Sequence, residues 1–207
     1  MNNAELILKI QELYDSRTRD EILTNLNIAI SLGKLKGLPI DRYTSLPEVT
    51  RKSKHTVMSW FNRQHVKIPL ICLCILAKYI NYNIFSFFKI KENGRMTAGD
   101  FLIENELNNA YYPMDGAGIF IKAYNLQAGV NKDTVLNNIE KYYGSADELT
   151  EHHSNIRQSI VVNTCGCTVN TYHAWFNRSR KNVKIPLIPL CKLAVSAGVD
   201  IFDLFRA

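Results

Sequence analysis

One phrase occurs twice in this chain of 207 residues: "WFNRQHVKIPL" at 60–70 and "WFNRSRKNVKIPL" at 175–187. The two copies hold the only two tryptophans. Aligned on them, residues 56–63 match 171–178 at an offset of 115, and residues 66–88 match 183–205 at an offset of 117. The two-residue difference falls in the connector, where a loop accepts insertion. The apolar positions recur in register: Leu70/Leu187, Leu73/Leu190, Leu76/Leu193, Ala77/Ala194, Ile84/Ile201, Phe85/Phe202 and Phe88/Phe205. Register kept across two copies is the signature of a duplicated unit. The chain is therefore expected to fold twice into similar pieces of roughly 100 residues, each able to bury a small core.

The local grammar of the repeat is helical. Pro69 and Pro186 suit the first turn of a helix, where a missing N–H costs nothing. The apolar residues that follow recur at steps of three and four. Residues 81–83 and Gly198 break that pattern, and a last short helix ("NIFSFF", "DIFDLF") follows, capped by Asn83 or Asp200. Upstream, Ser53 and Thr168 are N-caps for a helix running through Trp60 or Trp175. Residues 4–16, 20–32, 133–143 and 154–164 read as further helices. The stretch 89–130 is the least regular: "KENGRMTAGD" is linker-like, while "FLIENEL" and "GIFIKAYNL" read as helices packed between the units. No strand-like alternation is sustained. The expected fold is all-α, in two domains. The first, 1–93, holds a corner at 43–63 and packing helices at 68–88. The second, 94–207, holds a connector at 94–130, a corner at 158–178 and packing helices at 185–205.

Composition narrows the class. At 46% hydrophobic and 21% charged residues the chain is of globular type. No apolar run approaches the roughly 20 residues of a membrane span. Glu5 interrupts the first apolar run and no basic leader precedes it, so no signal peptide is expected and the chain reads as cytoplasmic. The five cysteines, at 72, 74, 165, 167 and 191, form C-x-C pairs rather than the C-x₂-C pairs of zinc modules. They read as small buried hydrophobes in a reducing compartment. His152 and His153 are adjacent and point apart on a helix, without ligand spacing. Paired carboxylates, a P-loop and a nucleophile elbow are all missing. No metal, cofactor or enzymatic activity is expected.

Charge points elsewhere. Residues 1–103 carry fifteen Lys/Arg against nine Asp/Glu, and residues 104–207 carry ten of each. Asp and Glu are absent from 49 to 91, and again from 154 to 199, an interval that holds Arg157, Arg178, Arg180, Lys181, Lys184 and Lys192. An acid-free basic stretch is an electrostatic footprint for phosphate. A solvated basic face is the plainer alternative.

Residues 158–177, "QSIVVNTCGCTVNTYHAWFN", have the grammar of two short helices crossing steeply. Gly166 sits at the bend, Val161, Cys165, Cys167, Tyr172 and Trp175 hold the apolar positions, and Thr168 caps the second helix. This resembles the helix-turn-helix of lambda-repressor/Cro-like (XRE) regulators, in which a tryptophan closes the recognition helix and a basic connector with a proline follows. Residues 43–62 ("YTSLPEVTRKSKHTVMSWFN") are a looser copy, with Arg51 at the bend and Pro47 early in the first helix. The resemblance covers about 20–88 and 133–205.

The resemblance implies that the second helix of each corner enters the major groove. The DNA-facing residues would be Ser53, Lys54, His55, Met58, Ser59 and Asn62 in the first copy. In the second they would be Thr168, Asn170, Thr171, His173, Ala174 and Asn177. Asn suits adenine, Lys suits guanine, and Met58 suits a thymine methyl. Arg63 and Lys67, and Arg178, Arg180, Lys181 and Lys184, would hold phosphates. Trp60 and Trp175 are expected in the packed faces. The implied protein is a sequence-specific regulator of double-stranded DNA, a repressor of a phage or mobile element. It would read an asymmetric operator with two non-identical recognition helices, as a monomeric pseudo-dimer or a homodimer. The alternative is a phage-encoded anti-defence inhibitor using the same fold to grip a protein partner, with 94–130 as the partner surface.

Overall fold

The computed structural model describes residues 1–92, 94–143 and 151–206, the side chains of 151–157 excepted. Asn93, which falls in the linker-like stretch, and the side chains of His152, His153 and Arg157 lie outside the described residues. Among the described residues all regular structure is helical. The elements are α1 (Asn3–Asp15), α2 (Arg19–Leu35), α3 (Ser45–Thr50), α4 (Lys54–Asn62), α5 (Leu70–Ile80), the 3₁₀ helix η1 (Ile84–Phe88), α6 (Ala98–Tyr111), α7 (Gly116–Gly129), α8 (Lys132–Tyr143), α9 (Glu151–Cys165), α10 (Val169–Phe176), α11 (Leu187–Ala197) and the 3₁₀ helix η2 (Ile201–Phe205). The all-α expectation holds. Among these residues no helix is long and apolar enough to cross a membrane.

The expected boundary at 93/94 does not hold. The first unit is 9–121, and the second joins 1–8 to 122–207. The stretch expected to be a connector is structured and divides between them. α6 packs on α2 and η1 within the first unit. The hydroxyl of Ser86 on η1 donates to Asn105 Oδ1 (3.3 Å), and Asn108 Nδ2 donates to the Ser86 hydroxyl (3.2 Å). The first turns of α7 also belong to this unit, where a Cβ on Gly116 would lie 3.6–3.7 Å from Ile84, Ile10 and Phe85. In the second unit the first turns of α1 occupy the corresponding position at η2: Asn3 Nδ2 donates to Asp200 Oδ2 at 2.7 Å.

The duplication runs further than the matching letters. Tyr14 on α1 donates its hydroxyl to the Ile68 carbonyl (2.9 Å), and Gln127 on α7 donates to the Ile185 carbonyl (2.9 Å). On α2, Asn25 Nδ2 donates to the carbonyls of Phe87 (3.2 Å) and Lys89 (2.6 Å). On α8, Asn138 Nδ2 donates to those of Leu204 (3.2 Å) and Arg206 (2.7 Å). α1 and α7 are thus counterparts, as are α2 and α8. In each unit, polar side chains of the first two helices satisfy backbone groups where the connector meets the next helix and where the last 3₁₀ helix ends. Such groups would be costly to leave bare.

The helix ends follow the sequence grammar. Pro69 and Pro186 stand at the N-caps of α5 and α11. Asn81 (φ 59°) and Gly198 (φ 69°) close these helices in the left-handed region, where Asn and Gly are the residues best tolerated. The Asn83 side chain caps η1 and the Asp200 side chain caps η2. The arms leading into the corners differ. In the first copy Gly37 (φ 80°) turns the chain and Pro39 follows. Asp41 then accepts the amides of Tyr43 (2.7 Å) and Thr44 (3.0 Å), so only six residues remain for α3. The sequence of α9 has no Gly or Pro, and it runs 15 residues.

The first unit buries Val57, Trp60, Phe85, Phe87 and Phe88 almost completely. The second packs α11 and η2 in the same way, with Leu190, Cys191, Leu193 and Ile201 at 0–1% exposure. Of the five cysteines, Cys72, Cys74, Cys165 and Cys191 are buried and Cys167 is half-buried, all as free thiols. Burial pushes Cys165 up to about 11 and Cys191 up to about 12, which leaves little reactive thiolate.

Candidate nucleic-acid interface

The two corners share one backbone solution. After α3, Arg51 adopts the left-handed conformation (φ 53°, ψ 37°), and the Lys52 amide donates back to the Pro47 carbonyl at 3.1 Å. After α9, Gly166 does the same (φ 66°), and the Cys167 amide donates to the Val162 carbonyl at 3.2 Å. The next helix is then capped as the sequence indicates. The Ser53 hydroxyl accepts the Thr56 amide (3.1 Å) and the Thr168 hydroxyl accepts the Thr171 amide (3.2 Å). Each cap also shares a 2.9 Å hydroxyl bond with Thr56 or Thr171.

A cation holds the far end of each helix. Arg19 on α2 donates to the carbonyls of Trp60 (2.7 Å) and Phe61 (2.9 Å) at the end of α4. Lys132, 5% exposed at the start of α8, donates its ammonium to the carbonyls of Ala174 (3.2 Å), Asn177 (2.9 Å) and Arg180 (3.1 Å). Cations suit a helix C-terminus, where the unpaired carbonyls carry partial negative charge. Desolvation lowers the Lys132 pKa.

The expected DNA-facing residues separate into three groups. On α4, Ser53, Lys54, His55 and Asn62 are exposed, as is Arg63 just beyond it. Met58 and Ser59 are half-buried, and the Ser59 hydroxyl turns back to the Thr56 carbonyl at 2.6 Å. The Lys54 ammonium lies 5.4 Å from the centre of the Tyr43 ring. The neighbours Arg51 and Lys52, which sequence reasoning did not nominate, are exposed beside them. They were visible in the sequence as cations flanking the cap.

On α10, Asn170 and His173 are exposed and Thr171 and Ala174 are half-buried. Asn177 turns its Oδ1 to the amide (2.9 Å) and hydroxyl (2.6 Å) of Ser179. Trp175 is only half-buried, and no residue of α10 is buried, whereas α4 buries Val57 and Trp60. Where α4 has Val57, α10 has Tyr172, a larger ring stacked on Phe176 with centroids 4.8 Å apart. Trp60 is thus in the core as expected, whereas Trp175, expected in the packed face of its helix, is only half-covered.

The connector cations form the third group. Arg180 and Lys181 are exposed. Arg178 instead reaches α8, with Asp133 at 3.5 Å, Glu140 at 2.9 Å and Asn137 at 2.8 Å. Lys67 donates to the Tyr14 carbonyl (2.5 Å) over the Tyr14 ring (3.9 Å from its centre). Lys184, its counterpart, donates to the carbonyls of Ala128 and Val130. These two lysines close the C-termini of α1 and α7. Lys192 likewise donates to the Cys165 carbonyl at the end of α9 (3.3 Å). Three of the expected phosphate contacts, Lys67, Arg178 and Lys184, thus have intramolecular partners.

Among the described residues no group of three or more His, Cys, Asp or Glu is placed to hold a metal ion. Comparison with protein-family models, curated proteins and solved structures yields no match to this chain.

Proposed function

We propose that the protein is a sequence-specific double-stranded DNA-binding regulator, a repressor built from two lambda-repressor-like helix-turn-helix units in tandem. The observation that carries this reading is the N-terminal half of α4. A capped helix exposes Lys54 and His55 in its first turn, with Arg51 and Lys52 beside them, inside a stretch of 43 residues (49–91) without an acid. A helix N-terminus with exposed cations suits a phosphate-walled groove. The Ser53 cap, the left-handed turn at Arg51 and the Arg19 contact at the C-terminus fix α4 along its length. Base reading needs a helix held in this way.

The test is binding of the full chain to an unselected duplex over a range of salt. Affinity falls steeply with salt, with a log–log slope that reports several phosphates. The triple variant with Arg51, Lys52 and Lys54 all changed to Ala flattens that slope. A weak, salt-independent interaction would refute the reading.

The second reading, a protein-binding inhibitor, draws on α10. This helix buries none of its residues and leaves Val169 44% exposed, which suits a protein contact better than a phosphate-lined groove. It would prevail if the chain ignored DNA and co-purified with one stoichiometric protein partner.

A further inference from the structure

We infer that base reading is confined to α4, and that the second unit adds only sequence-independent phosphate contacts through Arg180 and Lys181. This rests on the DNA-binding reading above and replaces the expectation of two recognition helices with one.

The duplication lets the corners be compared position by position. At an offset of 115, Arg51, Lys52, Lys54 and His55 face Gly166, Cys167, Val169 and Asn170. All three cations and the histidine are lost together, and the residue at the place of Lys54 is an exposed valine. The first turn of α10 therefore has no charge to draw it against phosphate, and Val169 can offer nothing to a base edge except a methyl contact. Beyond the helix, Arg63 is exposed, but its counterpart Arg178 is bound to Asp133 and Glu140. Those two carboxylates already pair the guanidinium that would otherwise meet a phosphate.

Burial gives a second, independent argument. α4 is seated by Val57 and Trp60, at 0% and 1% exposure, while α10 has no buried residue. A helix fixed at its two ends but with no buried side chain along its length holds its middle less firmly than base discrimination requires. Three cations of the second unit work inward: Lys132, Lys184 and Lys192 all donate to helix-end carbonyls. Beside the carboxylate-bound Arg178, Arg180 and Lys181 are exposed in its connector, and point charges on a loop bind the phosphate backbone without regard to sequence.

The experiment is selection of the full chain from a random duplex pool, repeated with three double variants. The wild type enriches one contiguous block of roughly 4–6 base pairs, as expected of one helix with three or four reading side chains. An inverted repeat of that same block, from two chains, equally supports the inference. Lys54→Ala with His55→Ala blurs the block and weakens the selected site at least tenfold. Asn170→Ala with His173→Ala leaves the block intact and affinity within twofold. Arg180→Ala with Lys181→Ala weakens all duplexes alike. Two different blocks about one helical turn apart, one of them erased by the Asn170/His173 variant, would overturn the inference and leave the DNA-binding reading standing. No enrichment together with no salt-dependent retention would overturn both.

Discussion

Replacing Arg51 with glycine should make the first unit more stable, although it deletes a surface cation and adds no contact. Arg51 is held at φ 53°, ψ 37°, a conformation that costs an L-residue about 1–2 kcal/mol. Glycine removes that strain but gives back about 0.4–1 kcal/mol through the greater freedom of its unfolded chain. The net gain is about 1 kcal/mol, roughly a fivefold shift in the unfolding equilibrium. The duplicated corner supplies the mirror experiment. A Cβ on Gly166 would meet nothing within 4 Å, so Gly166→Ala carries backbone strain without a steric clash and should cost about 1 kcal/mol. The assay is urea unfolding of the full chain. In a Trp175→Phe background the buried Trp60 reports the first unit, and circular dichroism follows the Gly166 variant. A lower midpoint for Arg51→Gly at unchanged m-value, or a higher one for Gly166→Ala, would refute the argument that the turn sets the cost.

Four further outcomes follow from the same framework. Lys132→Met removes the ammonium that bonds three carbonyls at and just beyond the end of α10, two of which keep a backbone amide donor, and should cost about 2 kcal/mol in urea unfolding; a cost below about 0.5 kcal/mol would mean that the three bonds are not formed together. Arg178→Ala should leave the salt slope of DNA binding unchanged, whereas Arg180→Ala should reduce it by about one phosphate. Burial pushes Tyr14 up to about 12. The folded state therefore keeps a proton that the unfolded state releases from about pH 10, and stability should fall between pH 10 and 12. Tyr14→Phe should flatten that part of the stability–pH curve, and an unchanged slope would assign the loss to another group. Deleting residues 1–8 removes buried Ala4, Leu6 and Ile7 and the Asn3–Asp200 bond. It should destabilise the second unit by about 4 kcal/mol or more, seen as an earlier change at Trp175 than at Trp60.

The parts of this fold that were readable in advance are those carried by side chains with one strong local meaning. Pro69 and Pro186, Ser53 and Thr168, and Asn83 and Asp200 all stand at the helix starts their chemistry favours. Gly166 marks the bend, and Arg51 marks the same bend against its own preference. The α1/α7 correspondence was not readable, because it is held by unlike residues. Tyr14 on α1 and Gln127 on α7 do the same work, and on the next helices so do Arg19 and Lys132. Each donates to a backbone carbonyl, and an acceptor that every residue offers leaves no trace in the letters. The offset of 113 at these positions, against 115 and 117 later in the chain, further hides the pairing. The candidate site was half legible. Exposure and capping on α4 followed from helix geometry. The inward bonds of Lys67, Arg178 and Lys184 depend on helices far away in sequence, so charge pattern alone could not separate those cations from Arg180 and Lys181.

The division at 8/9 and 121/122 also bears on how the chain is made. During synthesis the first unit has all its segments once residue 121 has left the ribosome, before the second unit has its own. Domains generally fold as they emerge, so this unit can close early. Residues 1–8 are made before the first unit, yet their partner Asp200 at the start of η2 is made after it. Until then Ala4, Leu6 and Ile7 have no complete second unit to pack into. A segment made before the first unit thus waits for one made after it.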